Sequence, residues 1–105
     1  MAFKTASVVM APDGDPAKHR ASVKTEKLHV TVVVVPSMDF DLAASVCKEL
    51  VEKEGVQAIT LCPGFTTSGA AKVAEAVGSG IPITVARGDV PSIMTTAEIL
   101  AKEWF

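Results

Sequence analysis

Between residues 61 and 69 the chain reads Leu61-Cys62-Pro63-Gly64-Phe65-Thr66-Thr67-Ser68-Gly69. An apolar run (56–61) precedes this stretch and predicts a strand, and an Ala-rich pattern (70–77) follows it and predicts a helix. A strand that leads through a Gly- and hydroxyl-rich loop into a helix N-terminus leaves backbone N–H groups that can hold an anion. The stretch therefore predicts a strand–loop–helix unit and the place of a ligand, without identifying that ligand.

The same alternation of strands and helices runs along the whole chain. Apolar runs predict strands at 3–10, 28–35, 56–62 and 81–86, and helical patterns predict helices at 16–23, 39–54, 68–77 and 96–102. This order indicates βαβ units with right-handed crossovers. The sequence therefore predicts an α/β fold: a single small domain (1–105) with a four-stranded, mainly parallel sheet and helices on both faces, like a truncated flavodoxin-like fold.

Local signals mark several element ends. Asp15 as N-cap and Pro16 at the first helical position predict the short helix at 16–23. Asp39 and Gly55 are typical cap residues for the longest helix. The valine run at 28–35 predicts a strand buried on both faces. If that strand formed an edge of the sheet it would need a partner, so we expect a homodimer or higher homo-oligomer.

Composition excludes several classes of function. The chain has 105 residues, 49% of them hydrophobic, with a net charge of −2, one Trp, four Phe and no Tyr. Because it has no basic stripe and few aromatic side chains, nucleic-acid binding is disfavoured. No apolar run is long enough to span a bilayer, and no signal-peptide pattern is present, so we expect no membrane partner. Two cysteines are too few for a disulfide scaffold, which favours a cytoplasmic protein with reduced thiols.

The predicted topology gathers polar residues beyond the carboxyl ends of the strands, where open parallel sheets bind ligands. The candidate ligand-binding residues in these segments are Arg20, Gly64, Thr66, Thr67, Ser68, Gly69, Arg87 and Asp89. N–H groups, hydroxyls and two arginines are the groups that recognise a small anionic molecule. Two alternatives stay open: Thr67 or Ser68 only caps the helix, and Arg87 forms a salt bridge with Asp89 within a turn.

Cys62 and His19 are the candidate catalytic residues. A thiol near a helix N-terminus has a lowered pKa and could act as a nucleophile or base, and His19 could be its general acid/base partner. The alternatives are that Cys62 is packed at a strand end and that His19 makes a contact at a helix end. Cys47 falls in a helical apolar stripe and is predicted to be core.

Motifs for metals and nucleotide cofactors are missing. The two Cys and two His lack Cys-x-x-Cys or His-x-x-x-His spacing, so no metal site is predicted. The 61–69 stretch contains neither Gly-Lys-Ser/Thr nor Gly-x-Gly-x-x-Gly, so no nucleotide cofactor is expected.

Three segments carry a resemblance to a known family. They are Ala11-Pro12-x-x-Asp15-Pro16-x-Lys18-His19-Arg20, Gly55-Val56-Gln57-Ala58-Ile59-x-Leu61-Cys62-x-Gly64-Phe65, and Ala71-Lys72-Val73-Ala74-Glu75-Ala76-Val77-Gly78. Over roughly residues 1–90 the chain resembles a family of short, mainly bacterial α/β proteins catalogued as domain of unknown function 6506. The resemblance implies the fold class and no activity.

A second, partial resemblance covers residues 56–85. The order of apolar strand, Cys62, turn, helix and Gly80-Ile81-Pro82 resembles the cysteine region of the aspartate/glutamate racemase superfamily. It implies a racemase- or isomerase-like enzyme in which Cys62 works with His19 or with a second subunit.

The leading prediction is binding of a small anionic metabolite. The alternatives are this cysteine-dependent enzyme and a structural or regulatory oligomeric subunit with Trp104 and Phe105 at its interface.

Overall fold

A computed structural model describes residues 1–105. Its elements in chain order are β1 (Phe3–Ala11), β2 (Arg20–Lys24), β3 (Leu28–Pro36), α1 (Phe40–Glu54), β4 (Ala58–Leu61), α2 (Thr67–Val77), β5 (Ile83–Val85) and α3 (Val90–Glu103). The strands form one sheet in the order β2-β3-β1-β4-β5. All neighbouring strands run parallel except β2 and β3, which are antiparallel. The predicted α/β class is confirmed.

The four parallel strands define where loops can meet a ligand. These strands lie in the spatial order β3-β1-β4-β5. When only the parallel strands are counted along the chain, this order is 2-1-3-4, which is the start of the flavodoxin-like order. The chain leaves β1 toward one edge of the sheet and leaves β4 toward the other. The carboxyl ends of β1 and β4 therefore form a topological switch point, the usual ligand position in open α/β sheets.

The prediction of a helix at 16–23 is wrong, and with it the prediction of a four-stranded sheet. The carbonyl of Asp15 accepts N–H groups from Lys18 and His19 at 3.0 and 2.7 Å, which closes a turn and not a helix. The chain then extends as β2, where the hydroxyls of Ser22 and Thr31 lie 2.9 Å apart across the strand pair. The sheet consequently has five strands and is mixed.

The prediction of helices on both faces is also wrong. Helices α1 and α2 pack side by side, and their buried residues share one core with one side of the sheet, including Val8, Val33 and Val35. The other side of the sheet carries no helix, and Val32 on that side is 40% exposed. The valine run is therefore buried on one face only. Because β2 flanks β3, that run is not an edge, and the edge argument for an oligomer is lost.

The ends of the helices follow local capping rules. The carboxylate of Asp39 accepts the N–H of Leu42 at 3.0 Å, as predicted for an N-cap, and Gly55 ends α1 with φ of 72°, as predicted for a C-terminal cap residue. Thr66, not Thr67 or Ser68, caps α2. Helix α3 begins at Val90, well before the predicted start at Thr96, and contains no buried residue. None of the three helices has the length and apolarity needed to cross a membrane.

Candidate functional site

The loop after β4 is a tight turn packed onto the core. The N–H of Phe65 donates to the carbonyl of Cys62 at 3.1 Å, and the Phe65 ring is buried against Phe40, with ring centroids 5.7 Å apart. A Cβ atom added to Gly69 would lie 2.5 Å from Cδ1 of Phe40. Gly69 also donates its N–H to the Thr66 hydroxyl at 3.0 Å. The glycine therefore serves packing and capping, and its N–H group is not available to a ligand.

The first turn of α2 still offers two free donors. The N–H groups of Thr67 and Ser68 make no hydrogen bond within the chain, and both residues are exposed. The other two helices begin at the carboxylates of Asp39 and Asp89, whereas α2 begins at a neutral threonine with no acidic residue in its first turn. The partial positive charge at the N-terminus of α2 is therefore not offset by an acidic group of that turn.

Arg87 ties the end of β5 to this loop. Its Nη1 atom donates to the carbonyl of Pro63 at 2.9 Å. Arg87 forms no salt bridge with Asp89. The Asp89 carboxylate caps α3 by accepting the N–H of Ser92 at 2.9 Å. Hydrogen bonds from the side chain and backbone of Ser92 hold the pKa of Asp89 below its ordinary value. The loop that contains Gly64 and the threonines follows β4, and Arg87 follows β5. These residues therefore lie at the ends of neighbouring strands.

Arg20 lies elsewhere in the molecule. It begins β2 at one edge of the sheet, and its Nη2 atom pairs with Oε2 of Glu54 at 3.1 Å. Arg87 follows β5 at the opposite edge. Four strand spacings separate the two edges, about 19 Å at about 4.8 Å per spacing. The structure therefore does not bring the two arginines to one site.

Cys62 and His19 lie in separate surroundings in the structure. The imidazole Nδ1 of His19 accepts the N–H of Asp15 at 2.9 Å and so helps to close its own turn. Cys62 is half-buried, and a Cβ atom on Gly64 would lie 3.5 Å from both its sulfur and that of Met10. No hydrogen bond joins Cys62 to His19, and a catalytic role for either residue stays a prediction. No three His, Cys, Asp or Glu side chains are grouped so that they could hold a metal ion.

A crevice of about 260 Å³ opens between this loop and α3. The loop contributes Pro63 and Gly64 to its wall, and α3 contributes the hydroxyl residues Ser92 and Thr96 and the apolar Ile93. The crevice lies beyond the carboxyl ends of β4 and β5, in the region predicted to bind a ligand. Its lining is mainly apolar and contains no charged residue. The nearest link to a charge is Pro63, whose carbonyl accepts the hydrogen bond from Arg87.

A basic cavity between β2 and the helical layer was missed by the sequence reasoning. It measures about 250 Å³ and is lined by Lys4, Lys24 and His29 together with the hydroxyl residues Ser22 and Thr31. These side chains meet only because 20–24 is a strand, which places alternate residues on one face next to those of β3. The polar–apolar alternation Arg20-Ala21-Ser22-Val23-Lys24 was the signal that could have revealed it.

Comparison with known proteins places the chain in a family. No curated protein and no solved structure matches it, so the partial resemblance to the racemase superfamily is unsupported. Residues 3–101 match the model of a family of unknown function, DUF6506. Because this match spans almost the whole chain, the protein belongs to that family.

Proposed function

We propose that this protein is a cytoplasmic binder of a small anion, such as a phosphate or a carboxylate-bearing metabolite, at the carboxyl ends of β4 and β5. The observation that carries the proposal is the first turn of α2, where the N–H groups of Thr67 and Ser68 are free and no acidic residue offsets the helix dipole. The cytoplasmic location is supported by two free thiols, Cys47 and Cys62, which suit a reducing compartment.

Arg87 supplies the counter-charge in this proposal. A guanidinium group carries five N–H donors, and the hydrogen bond to the Pro63 carbonyl uses one of its nitrogens. That bond fixes the arginine on the loop that leads into α2 and leaves other donors for a ligand. The hydroxyls of Thr67 and Ser68 would add short-range donors, whereas the Thr66 hydroxyl is occupied as the helix cap.

The basic cavity is a second location for a ligand of the same class. The observation that favours it is its concave shape, with the ammonium groups of Lys4 and Lys24 and the imidazole of His29 around about 250 Å³. The carboxylate of Glu54 also lines this cavity, but it is paired with Arg20 and so does not cancel both lysines. Variants can separate the two locations because they lie on different strands.

The test is a thermal-shift titration with inorganic phosphate and with succinate, using sodium chloride at matched ionic strength as the control. An anion that binds only the folded state raises Tm with its concentration. Thr67→Pro removes one free N–H without breaking the helix, because proline suits the first helical position and Thr66 already has an extended backbone, with φ of −75° and ψ of 167°. We expect this variant and Arg87→Gln to lose the shift.

Two matched variants complete the design. Thr67→Ala keeps the N–H and loses the hydroxyl, so it should retain most of the shift if the backbone group is the main donor. Lys24→Gln should retain the full shift if the ligand lies at α2. Loss of the shift in Lys24→Gln alone would assign binding to the basic cavity, and no shift above the chloride control in the unmodified chain would contradict anion binding.

A further inference from the structure

Helix α3 has an apolar face that is largely exposed, and only Ile93 and Ala97 of this face border the crevice beside Pro63 and Gly64. At 100° per residue the residues on this face are Val90, Ile93, Met94, Ala97, Ala101 and Trp104. Val90 is 69% exposed, Met94 is 59% exposed, and no residue of the helix is buried. The charged residues of α3, Glu98, Lys102 and Glu103, lie outside this face. An amphipathic helix of this kind needs an apolar surface to cover.

The uncovered face of the sheet offers such a surface. Its residues alternate with the buried ones, and the most apolar part, here called the sheet patch, consists of Phe3, Val23, Leu28, Val30 and Val32. Strand pairing sets Phe3 against Leu28 and Val23 against Val30, so the patch is continuous across β1, β3 and β2. It contains no charged residue.

We propose that α3 of one copy of this chain lies on the sheet patch of a second copy, and that the exchange is reciprocal in a two-fold symmetric homodimer. Helix α3 follows β5, and the patch extends to β2 at the opposite edge, about 19 Å away at about 4.8 Å per strand spacing. The hydrogen bond from Arg87 to Pro63 holds the start of α3 on the β4–β5 side. A two-fold axis parallel to the strands would set the β5 edge of each copy over the β2 edge of the other.

The area of contact requires that the exchange be reciprocal. One face of a 14-residue helix is about 21 Å long and about 15 Å around, or roughly 300 Å². If each copy contributes one such face and a sheet patch of equal size, about 600 Å² is buried per copy and about 1,200 Å² in total, which reaches the range of specific interfaces. A one-sided contact would bury about half as much, the size of an adventitious contact.

The first experiment measures the mass of the full chain by analytical ultracentrifugation. We expect twice the chain mass of 10.9 kDa. Met94→Lys and Val32→Lys each place a charge in the apolar contact and should give monomers. Ile99→Lys is the matched control, because Ile99 is 55% exposed but lies on the opposite side of α3, so this variant should remain a dimer. A monomeric unmodified chain, or dissociation by Ile99→Lys and not by Met94→Lys, would overturn the proposal.

A second experiment does not depend on weakening the dimer. Val32→Cys combined with Met94→Cys, in a Cys62→Ser background, should form a disulfide between chains under mild oxidation, seen as a dimer on a non-reducing gel. Val32→Cys combined with Ile99→Cys should not. A disulfide within one chain would show that α3 covers its own sheet, and efficient dimers from Val32→Cys alone would show sheet-to-sheet packing. Either result would refute the helix exchange.

Discussion

Gly69 shows how a residue suited to anion binding can be fixed by packing. In the sequence it follows three hydroxyl residues and is a natural part of an N–H nest. In the structure a Cβ atom at this position would run into the ring of Phe40, and the N–H of Gly69 donates to the hydroxyl of Thr66. The ring of Phe40 is in turn held against Phe65. The position is therefore closed to any side chain and to any ligand.

Gly69→Ala should destabilise the protein. The added Cβ would meet Cδ1 of Phe40 at 2.5 Å, and overpacking of this kind costs about 1–3 kcal/mol, more than the helix-propensity gain of up to about 1 kcal/mol from replacing glycine. Gly64→Ala is the control, since its Cβ would find only ordinary contacts at 3.5 Å, and its effect should stay within about 0.5 kcal/mol. Urea denaturation measures both, and equal stability of the two variants would contradict the packing role.

The buried thiol of Cys47 predicts a pH effect on stability. Burial raises its pKa from 9.0 to about 12. Between these values the unfolded chain has lost the thiol proton and the folded chain keeps it, so the free energy of unfolding falls as pH rises, by at most about 1.4 kcal/mol per pH unit. The contribution of the protonated thiol to the free energy of unfolding is fully present below pH 9.0. The thiol's share is the difference in slope between the unmodified chain and Cys47→Ala. Parallel slopes would count against a shielded thiol.

At the residue scale, the sequence predicted what depends on near neighbours. Asp39 and Gly55 act as caps, as predicted, because a cap needs only its own helix end. The core position of Cys47 followed from helical spacing. The surroundings of His19 and Arg20 could not be predicted, since they depend on a turn closed by an imidazole and on an ion pair 34 residues away in the chain.

At the scale of elements, α3 depends on its cap more than the other helices do, because it has no buried residue to hold it. The carboxylate of Asp89 accepts the N–H of Ser92, and this interaction lowers its pKa. A group with a lowered pKa stabilises the folded form above its ordinary pKa, and the effect is lost as pH falls through the lowered value. Acid should therefore loosen the first turn of α3 before it affects α1 or α2.

Asp89→Ala should reproduce this loosening at neutral pH. Backbone NMR shifts and amide hydrogen exchange of Ile93 and Met94 would report it, with faster exchange than in the unmodified chain. Asp89→Asn keeps an acceptor for the cap and loses the charge, so it should exchange nearly as slowly as the parent. If the alanine and asparagine variants exchange at the same rate, the cap hydrogen bond is not what holds this turn.

The second strand is the element that sequence reasoning predicted wrongly. Asp15 and Pro16 are good residues for a helix start, yet the following Arg20-Ala21-Ser22-Val23-Lys24 alternates with a period of two, which suits a strand. The local start signal outweighed a short pattern whose value depends on pairing with β3. Because of that one error, the sequence-based prediction lacked the basic cavity and the strand that forms this edge of the sheet.

At the scale of the whole molecule, the fold buries little for its size. Only 14 of 105 residues are buried, because both well-packed helices lie on one side of the sheet. That most strands run parallel was within reach of the sequence pattern. Which face would lack a helix was not, since it depends on where α3 goes after β5. The sheet face that lacks a helix and the apolar face of α3 that lacks a partner would both be covered if a second copy bound in the proposed way.

If the dimer forms, stability must depend on protein concentration. Folding linked to association gains stability by mass action, so a hundredfold dilution should cost on the order of 2.7 kcal/mol per mole of dimer and lower Tm accordingly. Met94→Lys should melt at the same lower temperature at every concentration, whereas Ile99→Lys should follow the parent, because only Met94 lies on the apolar face of α3. A parent Tm that does not change on dilution, at concentrations where ultracentrifugation detects both species, would mean that the single chain is stable without the exchanged helix. The sheet patch would then be an exposed surface that the fold tolerates.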